Sequence, residues 1–446
     1  MKILFVRPHL FDARATDALE PLAFAVLAGL TPPDVSVALR DERLAPVHCD
    51  EDADLVAITV ETYTARRAYE ISARFRARGI PVVVGGYHPS FLPDEAGAHA
   101  DAVVIGDAEA VWQDVVRDAR VGVLQPTYRA REQPPLAGVV YDRSVFRGQR
   151  YPRISAVQVG RGCRFACDFC SIHAFYGSHV RHRPIDEVIA EVAALGRRSV
   201  LFVDDNLFID RAHAAALFEA LIPLRITWGC QVSIDIADDP DLVRLMARSG
   251  CVAALIGFES LDADNLRQMH KAWSVKGRRV ETSIERLHAA GIMVYGSFVF
   301  GYDHDTPDTI TKTVDFALAN KLFLANISLL TPMPGSGLYD RLRNEGRLLS
   351  ECWWLDPAYR YGDVTFQPAG MSPRTLAARC HEARARFYTL AGMAERLWRS
   401  PANARTLRHL SLFLGANLVS RRELASKFGR PLGSREAWTP QSAHAL

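Results

Sequence analysis

The sequence predicts an α/β protein in which two parallel sheets follow one another and a helical segment comes last. Short apolar strands alternate with helical stretches over residues 1–125 and again over residues 153–370. Residues 126–152 are irregular and proline-rich, which favours a linker, and residues 371–446 have apolar positions at helical spacing. We therefore expect a Rossmann-like doubly wound sheet, a partial (β/α)6 barrel of TIM type and a helical C-terminal extension.

The composition is that of an ordinary globular protein. Of 446 residues, 49% are hydrophobic and 23% are charged, so the chain can bury full-sized cores in two or three domains. No apolar run reaches membrane-spanning length, and no membrane span is expected. Eight cysteines without paired spacing, and a strand where a signal peptide would lie, predict a cytoplasmic protein in a reducing environment.

The charge is distributed unevenly. Residues 371–446 carry 13 Lys and Arg against four Glu, which gives +9 there and −7 over the rest of the chain. A solvated helical face is the ordinary explanation, because the segment lacks the aromatic interleaving typical of nucleic-acid sites. We do not expect a nucleic-acid partner, although a nucleic-acid modifier stays open as an alternative.

Five short apolar strands are predicted in the first part of the chain: residues 3–6, 35–39, 55–59, 81–86 and 102–106. The helical stretches between them are residues 19–30, 65–78 and 109–117. Ligands of parallel sheets bind beyond the carboxyl ends of the strands, so Thr59, Gly85, Gly86 and His88 are candidate binding residues. The glycines would let a bulky cofactor come close to the backbone.

The strand at residues 154–159 leads into a short loop that places Cys163, Cys167 and Cys170 in a C-x3-C-x2-C spacing. Three thiolates on one loop can hold three irons of a 4Fe–4S cluster and leave the fourth iron open. A structural zinc site is the alternative, but it needs a fourth ligand, and His173 is the only candidate at short range. The other five cysteines are scattered singly.

Further strands are predicted at residues 200–203, 227–234, 252–256, 293–300 and 324–330. Polar residues at their ends indicate the active face of a parallel barrel. Asp204, Asp205 and Asn206 are candidates there, with helix capping as the alternative. Gln231 and Ser233 alternate along one strand, so we expect both to face the same way and to suit hydrogen bonds with a ribose or a carboxylate.

Glu259 follows Gly257 at the end of a later strand. A buried carboxylate needs a hydrogen-bonding or cationic partner, and ribose hydroxyl groups would supply one. Glu259 is therefore a further candidate for cofactor binding.

The cysteine motif, with the aromatic Phe169 just before the third cysteine, resembles the cluster motif of the radical S-adenosylmethionine enzymes. The resemblance implies that S-adenosylmethionine binds the open iron and is cleaved to a 5′-deoxyadenosyl radical. It also implies an electron donor such as flavodoxin or ferredoxin, and a cofactor-binding role for Phe169. The segment at Asp204 lies where the family's Gly-Gly-Glu motif contacts the methionine amine, although the glycines are missing here. Gly296 and Gly301 resemble the family's adenine-backing strand, with close packing as the alternative.

The first part of the chain resembles the cobalamin-binding domain of one large class of these enzymes. Gly85-Gly86, His88-Pro89 and the Gly106–Glu109 turn carry the resemblance, which implies cobalamin bound across them and Thr59. The cobalt-ligating Asp-x-His-x-x-Gly motif is absent, so no histidine is expected on the lower face of the corrin. A domain that has kept the fold and lost the cofactor is the alternative.

With the Trp353-Trp354 pair and the helical extension, the resemblance to hopanoid methylases and antibiotic-biosynthesis radical enzymes covers nearly the whole chain. It implies hydrogen abstraction from an unactivated carbon of a small-molecule substrate, followed by cobalamin-dependent C-methylation. Radical dehydration of a sugar or aminoglycoside, or another rearrangement, stays open as an alternative. A non-catalytic iron–sulfur carrier is a third possibility, which the polar strand ends argue against.

Overall fold

A computed structural model describes residues 1–11, 15, 18–398 and 400–433. Within that part of the chain, two six-stranded parallel sheets follow one another, and the helices that come last in the chain pack against the second sheet. The α/β class, the Rossmann-like first sheet, the partial barrel and the helical extension are thereby confirmed. None of the described helices combines the length and the apolar character needed to cross a bilayer.

The first sheet has the strand order β2-β1-β3-β4-β5-β6. Its strands are β1 (Lys2–Arg7), β2 (Ser36–Asp41), β3 (Leu55–Thr59), β4 (Val82–Gly85), β5 (Ala102–Ile105) and β6 (Thr127–Arg129). Its helices are α1 (Leu22–Leu30), α2 (Ala65–Arg76), α3 (Tyr87–Phe91), α4 (Pro93–Ala98) and α5 (Trp112–Arg120). Neighbouring residues such as Leu4 and Phe5 belong to different apolar cores, so helices cover both faces of the sheet.

Strand β6 lies in the segment for which the sequence predicts an irregular linker. The strand is only three residues long and forms the edge of the sheet, where Tyr128 is its only buried residue. An edge strand with one buried side chain has no apolar run, so hydrophobic patterning does not reveal it.

The second sheet has the order β14-β13-β12-β11-β10-β7 and is open between its two edges. Its strands are β7 (Ser155–Val157), β10 (Ser199–Phe202), β11 (Thr227–Val232), β12 (Cys251–Glu259), β13 (Met293–Phe300) and β14 (Leu324–Leu329). A separate antiparallel pair is formed by β8 (Gly160–Arg161) and β9 (Arg181–His182). Its helices are α6 (Ser171–Tyr176), α7 (Ile185–Ala194), α8 (Arg211–Leu221), α9 (Pro240–Arg248), α10 (Ala263–Gln268), α11 (Val280–Ala290), α12 (Pro307–Ala319) and α13 (Gly337–Asn344). Val200, Trp228 and Ile256 face the helices and form the core.

The helical extension consists of α14 (Pro373–Phe387), α15 (Leu390–Leu397) and α16 (Leu407–Lys427). Leu376, Phe387 and Phe413 are fully buried in the core of the barrel. The extension therefore covers the barrel at the β14 side, and residues 434–446 lie outside the described part of the chain.

The chain after the barrel returns to the first domain. Trp353 and Trp354 are buried in the apolar core beside α2, and the Trp354 indole N–H donates to the Glu95 carboxylate at 3.1 Å. Near the end of the described chain, Gly433 forms a parallel bridge with Phe11. Segments distant in sequence thus complete the packing of the N-terminal domain.

Arg396 of α15 joins the extension to the barrel. Its guanidinium is fully buried and donates to the carbonyl oxygens of Leu322 at 3.1 Å and Phe323 at 2.8 Å. It also donates to the Phe387 carbonyl at 3.1 Å and to Oδ1 of Asn417 at 2.9 Å. Burial lowers the pKa of Arg396 to about 10, so the group stays charged at neutral pH.

Replacing Arg396 with methionine would leave several buried acceptors without donors. We expect Arg396→Met to lower the free energy of unfolding by about 3 kcal/mol, measured by urea denaturation. Arg379→Met is the matched control, because it removes only a surface ion pair with Glu382 and should cost less than about 0.5 kcal/mol. Equal effects of the two substitutions would contradict the anchoring role of Arg396.

Candidate active site

The three motif cysteines lie on the loop between β8 and α6. Cys167 is buried, and Cys163 and Cys170 are partly exposed. Burial raises the pKa of all three thiols, that of Cys167 to about 12, and the nearby Cys170 thiol adds to the rise at Cys163 and Cys167. Such thiols are neutral alone at pH 7 and ionise when a cation binds, so this donor set fits three irons of a 4Fe–4S cluster.

Two carboxylates at the end of β10 hold the backbone that leads into the cysteines. Asp204 accepts hydrogen bonds from the N–H groups of Val159 at 3.1 Å and of Gly160, and Asp205 accepts one from Gly162 at 2.8 Å. Gly162 has a φ of 93°, and a Cβ there would clash with neighbouring backbone, so the turn requires glycine. Burial raises the pKa of Asp204 to about 7 and also raises that of Asp205.

Asn206, the third residue of this segment, is bonded to the end of β11. Its Nδ2 donates to Oγ of Ser233 at 3.0 Å, and its Oδ1 accepts from the Ser233 N–H at 3.1 Å. Strand β11 ends at Val232, so Ser233 turns toward Asn206 and is buried, whereas Gln231 is exposed in the barrel lumen. The structure therefore differs from the expectation that Gln231 and Ser233 face the same way.

A buried lysine lies beside the cysteines, although no sequence pattern marks it. Nζ of Lys271 donates to Oε1 of Glu259 at 3.0 Å. Burial lowers the pKa of Lys271, but the charges of Glu259 and Cys167 outweigh it and the net shift is upward. Glu259 itself has a φ of 64°, a left-handed conformation that non-glycine residues seldom adopt and that is concentrated at functional sites.

The two barrel glycines and Phe169 lie in three different environments. Gly296 faces the helix layer, where a Cβ would approach the Phe298 ring at 2.9 Å, so close packing accounts for this glycine. Gly301 has a φ of 130°, and its N–H donates to Oδ2 of Asp305 at 2.8 Å in the turn after β13. Phe169 is partly buried against the barrel core beside the cysteine loop.

An interdomain cavity of about 320 Å³ lies at the carboxyl edge of the first sheet, and residues that flank the cysteine loop form part of its wall. Thr59, Gly85 and Gly86 line it, together with Gly106 and Asp107. Gly106 has a φ of 86° and open space at the Cβ position, so a bulky ligand can approach the backbone there. The cavity brings together three of the four residues predicted to bind cobalamin.

His88 is the predicted cobalamin-binding residue that does not line this cavity. Its ring is fully buried, with Nε2 2.9 Å from Oε1 of Glu95 and Nδ1 3.3 Å from Oγ1 of Thr62. Among the described residues, the cavity wall includes no histidine, cysteine or methionine. The described wall therefore offers no imidazole, thiol or thioether to the cobalt of a bound corrin.

A second cavity, of about 480 Å³, occupies the lumen of the partial barrel. Its wall is mostly apolar and includes Leu201, Leu255 and Tyr295, while Leu412 of α16 closes one side. Val203, at the end of β10, lines both this lumen and the interdomain cavity and is 36% exposed. The two cavities therefore adjoin at Val203.

Two family models match the chain. The model of the Radical SAM superfamily matches residues 157–317, and that of the B12 binding domain matches residues 18–116. The cysteine loop lies in the first match, and most of the interdomain cavity wall lies in the second. Together with the geometry, these matches define a radical S-adenosylmethionine enzyme with a cobalamin-binding domain.

Bacteriochlorophyllide d C-12(1)-methyltransferase of Chlorobaculum tepidum is 30% identical over 396 residues, covering 86% of each chain. Bacteriochlorophyllide d C-8(2)-methyltransferase of the same organism is 32% identical over 352 residues, covering 74% of this chain and 78% of the relative. The chain shares its fold with the radical S-adenosylmethionine methyltransferase TsrM of Kitasatospora setae, solved with cobalamin and a 4Fe–4S cluster, at 16% identity and a TM-score of 0.67 over 96% of this chain and 98% of the other.

The chain therefore belongs to the cobalamin-dependent radical S-adenosylmethionine methyltransferases. Its cofactors are a 4Fe–4S cluster, S-adenosylmethionine and cobalamin, and its reaction is the C-methylation of a small molecule. The alternative of a radical dehydratase receives no support from these relatives, which are methyltransferases.

Removing one cluster cysteine should remove the radical chemistry. We expect Cys167→Ala, like Cys163→Ala and Cys170→Ala, to form no 5′-deoxyadenosine from S-adenosylmethionine and dithionite, because the cluster loses an iron ligand. Cys230→Ala is the matched control, since Cys230 is also buried but packs in the helix-facing core. Full 5′-deoxyadenosine formation by Cys167→Ala would exclude this cluster site.

The cavity wall also predicts the coordination of the bound cobalamin. We expect the electron paramagnetic resonance (EPR) spectrum of cob(II)alamin in the protein to be the same whether the histidines carry natural nitrogen or ¹⁵N, because none of the described wall residues offers an imidazole. Free cob(II)alamin with added ¹⁵N-imidazole shows the size of the effect to be looked for. A spectrum that changes with the label would place a histidine on the cobalt.

Proposed function

We propose that this enzyme methylates an unactivated carbon of a tetrapyrrole. The observation that carries the proposal is the contact between the apolar barrel lumen and the interdomain cavity at Val203. This arrangement would put a substrate carbon next to both the radical source and the methyl donor. The substrate class is supported by two relatives with high coverage, both named as methyltransferases of bacteriochlorophyllide d.

The lumen suits an apolar substrate. Leu201, Leu255 and Tyr295 would exclude water from the reacting carbon, which protects a radical from side reactions. Gln231 brings one polar side chain into this wall and would orient the substrate by a hydrogen bond.

Residues around the cysteine loop would bind and orient S-adenosylmethionine. When bound, the cluster supplies the electron that cleaves S-adenosylmethionine, and cobalamin carries the methyl group. One carboxylate oxygen of Asp205 accepts no hydrogen bond within the described part of the chain, so it is available for the methionine ammonium. We assign the methionine carboxylate to Lys271 and the ribose to Glu259, with Phe169 as an apolar contact. Asp204 and Asn206 would act indirectly, by holding the loop and β11.

The reaction needs an external electron, and we propose a small donor protein such as flavodoxin or ferredoxin. Arg164 and Ala166 are exposed at the apex of the cysteine loop. A donor protein that binds there would be separated from the cluster only by this loop. An oxidation-sensitive cluster also favours a reducing cytoplasmic environment.

The substrate class is tested with methyl-deuterated S-adenosylmethionine, hydroxocobalamin, dithionite and bacteriochlorophyllide d as the candidate. We expect mass spectrometry to show a product that has gained one deuterated methyl group. A product that has lost water and carries no label would reject methyl transfer. The absence of any product with bacteriochlorophyllide d, in protein that forms 5′-deoxyadenosine, would reject this tetrapyrrole as substrate.

The role of the contact between the two cavities at Val203 is tested by filling it with a larger side chain. Val203→Trp should lower the rate of methyl transfer about a hundredfold by displacing the substrate carbon. The same variant should still form 5′-deoxyadenosine without substrate, because the cysteine loop is not altered. Val121→Trp, at a position 68% exposed on the surface, is the matched control and should keep both activities. Unchanged methylation by Val203→Trp would show that the reaction does not pass through this junction.

A further inference from the structure

Three side chains from around the cysteine loop converge on one carboxylate of the first domain. Nη1 of Arg161 lies 3.2 Å from Oδ1 of Asp107, and Nη2 of Arg181 lies 2.7 Å from Oδ2. The hydroxyl of Tyr176 also donates to Oδ1 of Asp107, at 3.3 Å. A second carboxylate, Glu109, lies 2.5 Å from Nη2 of Arg161.

The network is buried and its charges balance. The side chains of Arg161, Arg181, Asp107 and Glu109 are 10%, 14%, 6% and 11% exposed. Burial opposes the charge of Arg161, but the two carboxylates outweigh it and raise the pKa of the guanidinium. Two cations therefore face two anions away from water, where a displaced partner leaves an uncompensated charge. Such a network tolerates little change in geometry.

The network touches both cofactor sites. Arg161 lies two residues before Cys163, and Tyr176 is the last residue of the helix that follows Cys170. Arg181 lies opposite Arg161 in the antiparallel β8–β9 pair. On the other side, Asp107 follows Gly106 in the turn that lines the interdomain cavity. Both ends of the cysteine loop are thus tied to one turn of the cobalamin-binding domain.

We propose that Arg161, Arg181, Tyr176 and Asp107 are positioning residues that set the distance between the cluster and the corrin. The inference rests on the proposed seating of the corrin in the interdomain cavity. Hydrogen abstraction and methyl transfer act on the same carbon from two different centres. A misplacement of about 1 Å costs on the order of a hundredfold in rate, so the two centres need a fixed separation.

Other contacts hold the two domains together without this network. Glu20 of the first domain pairs with Arg143 at 2.8 Å and with Arg197 at 3.2 Å. Trp353 and Trp354 pack into the first domain on another side. Weakening the network should therefore change the separation of the centres without separating the domains.

The separation is measurable without a substrate. Cob(II)alamin and the reduced cluster are both paramagnetic, and their dipolar coupling in EPR falls with the cube of the distance. In Asp107→Asn protein with full iron and cobalamin content, we expect the cluster-to-cobalt distance derived from this coupling to shift or to broaden by about 1 Å relative to the unmodified enzyme. Asp34→Asn is the matched control, because it removes a surface acid of the same domain, 69% exposed, that pairs with Arg120.

An unchanged coupling in fully loaded Asp107→Asn would overturn the positioning role. If that variant does not hold both centres, Tyr176→Phe replaces it, since it removes one hydrogen bond and no charge. A smaller change of the coupling in Tyr176→Phe supports the proposal, and an unchanged coupling overturns it. A loaded unmodified enzyme with no coupling would instead refute the seating of the corrin, which is a different failure. A shift in Asp34→Asn equal to that in Asp107→Asn would also overturn the proposal.

Discussion

The cysteine loop is held in place because two carboxylates at the end of β10 accept hydrogen bonds from the backbone that leads into it. The strand is paired on both sides, with β11 and with the edge strand β7, so its end is held in a defined position. Val203, which precedes these carboxylates, is the residue shared by the two cavities. One strand end therefore fixes where the iron ligands lie and where the barrel lumen adjoins the interdomain cavity.

Electrostatic balance is the second constraint on the site. Burial of the thiol groups disfavours their ionisation, and the nearby ammonium of Lys271 opposes that effect before any iron binds. Glu259 in turn neutralises Lys271 while holding an unusual backbone conformation at the end of β12. Local strain at such a position is maintained only because the surrounding sheet over-determines it. The charges of the site thus come from several strands and not from the motif alone.

Much of the fold was readable from the sequence, because the internal strands of the first sheet are buried on both faces and give short apolar runs. The cysteine motif was readable because its three ligands are local in sequence. Lys271 was not, because its pairing with Glu259 is a contact in space that no periodicity records. Ser233 was misplaced because alternation holds only within a strand, and β11 ends one residue earlier. His88 follows a strand end as a ligand-binding residue would, but α3 begins at Tyr87 and turns the ring into the core.

The bridge between Phe11 and Gly433 and the burial of Trp353 and Trp354 give the protein an order of assembly. A ribosome releases the strands of the first sheet early, but the side chains that seal its core emerge only after the whole barrel has been made. Domains usually fold as units from the N-terminus during synthesis, and here the first unit has to wait for the last. A nascent chain would therefore hold an incompletely packed first domain until translation is almost complete. The same wiring means that the first domain cannot be cut out at a single linker and moved to another enzyme with its core intact.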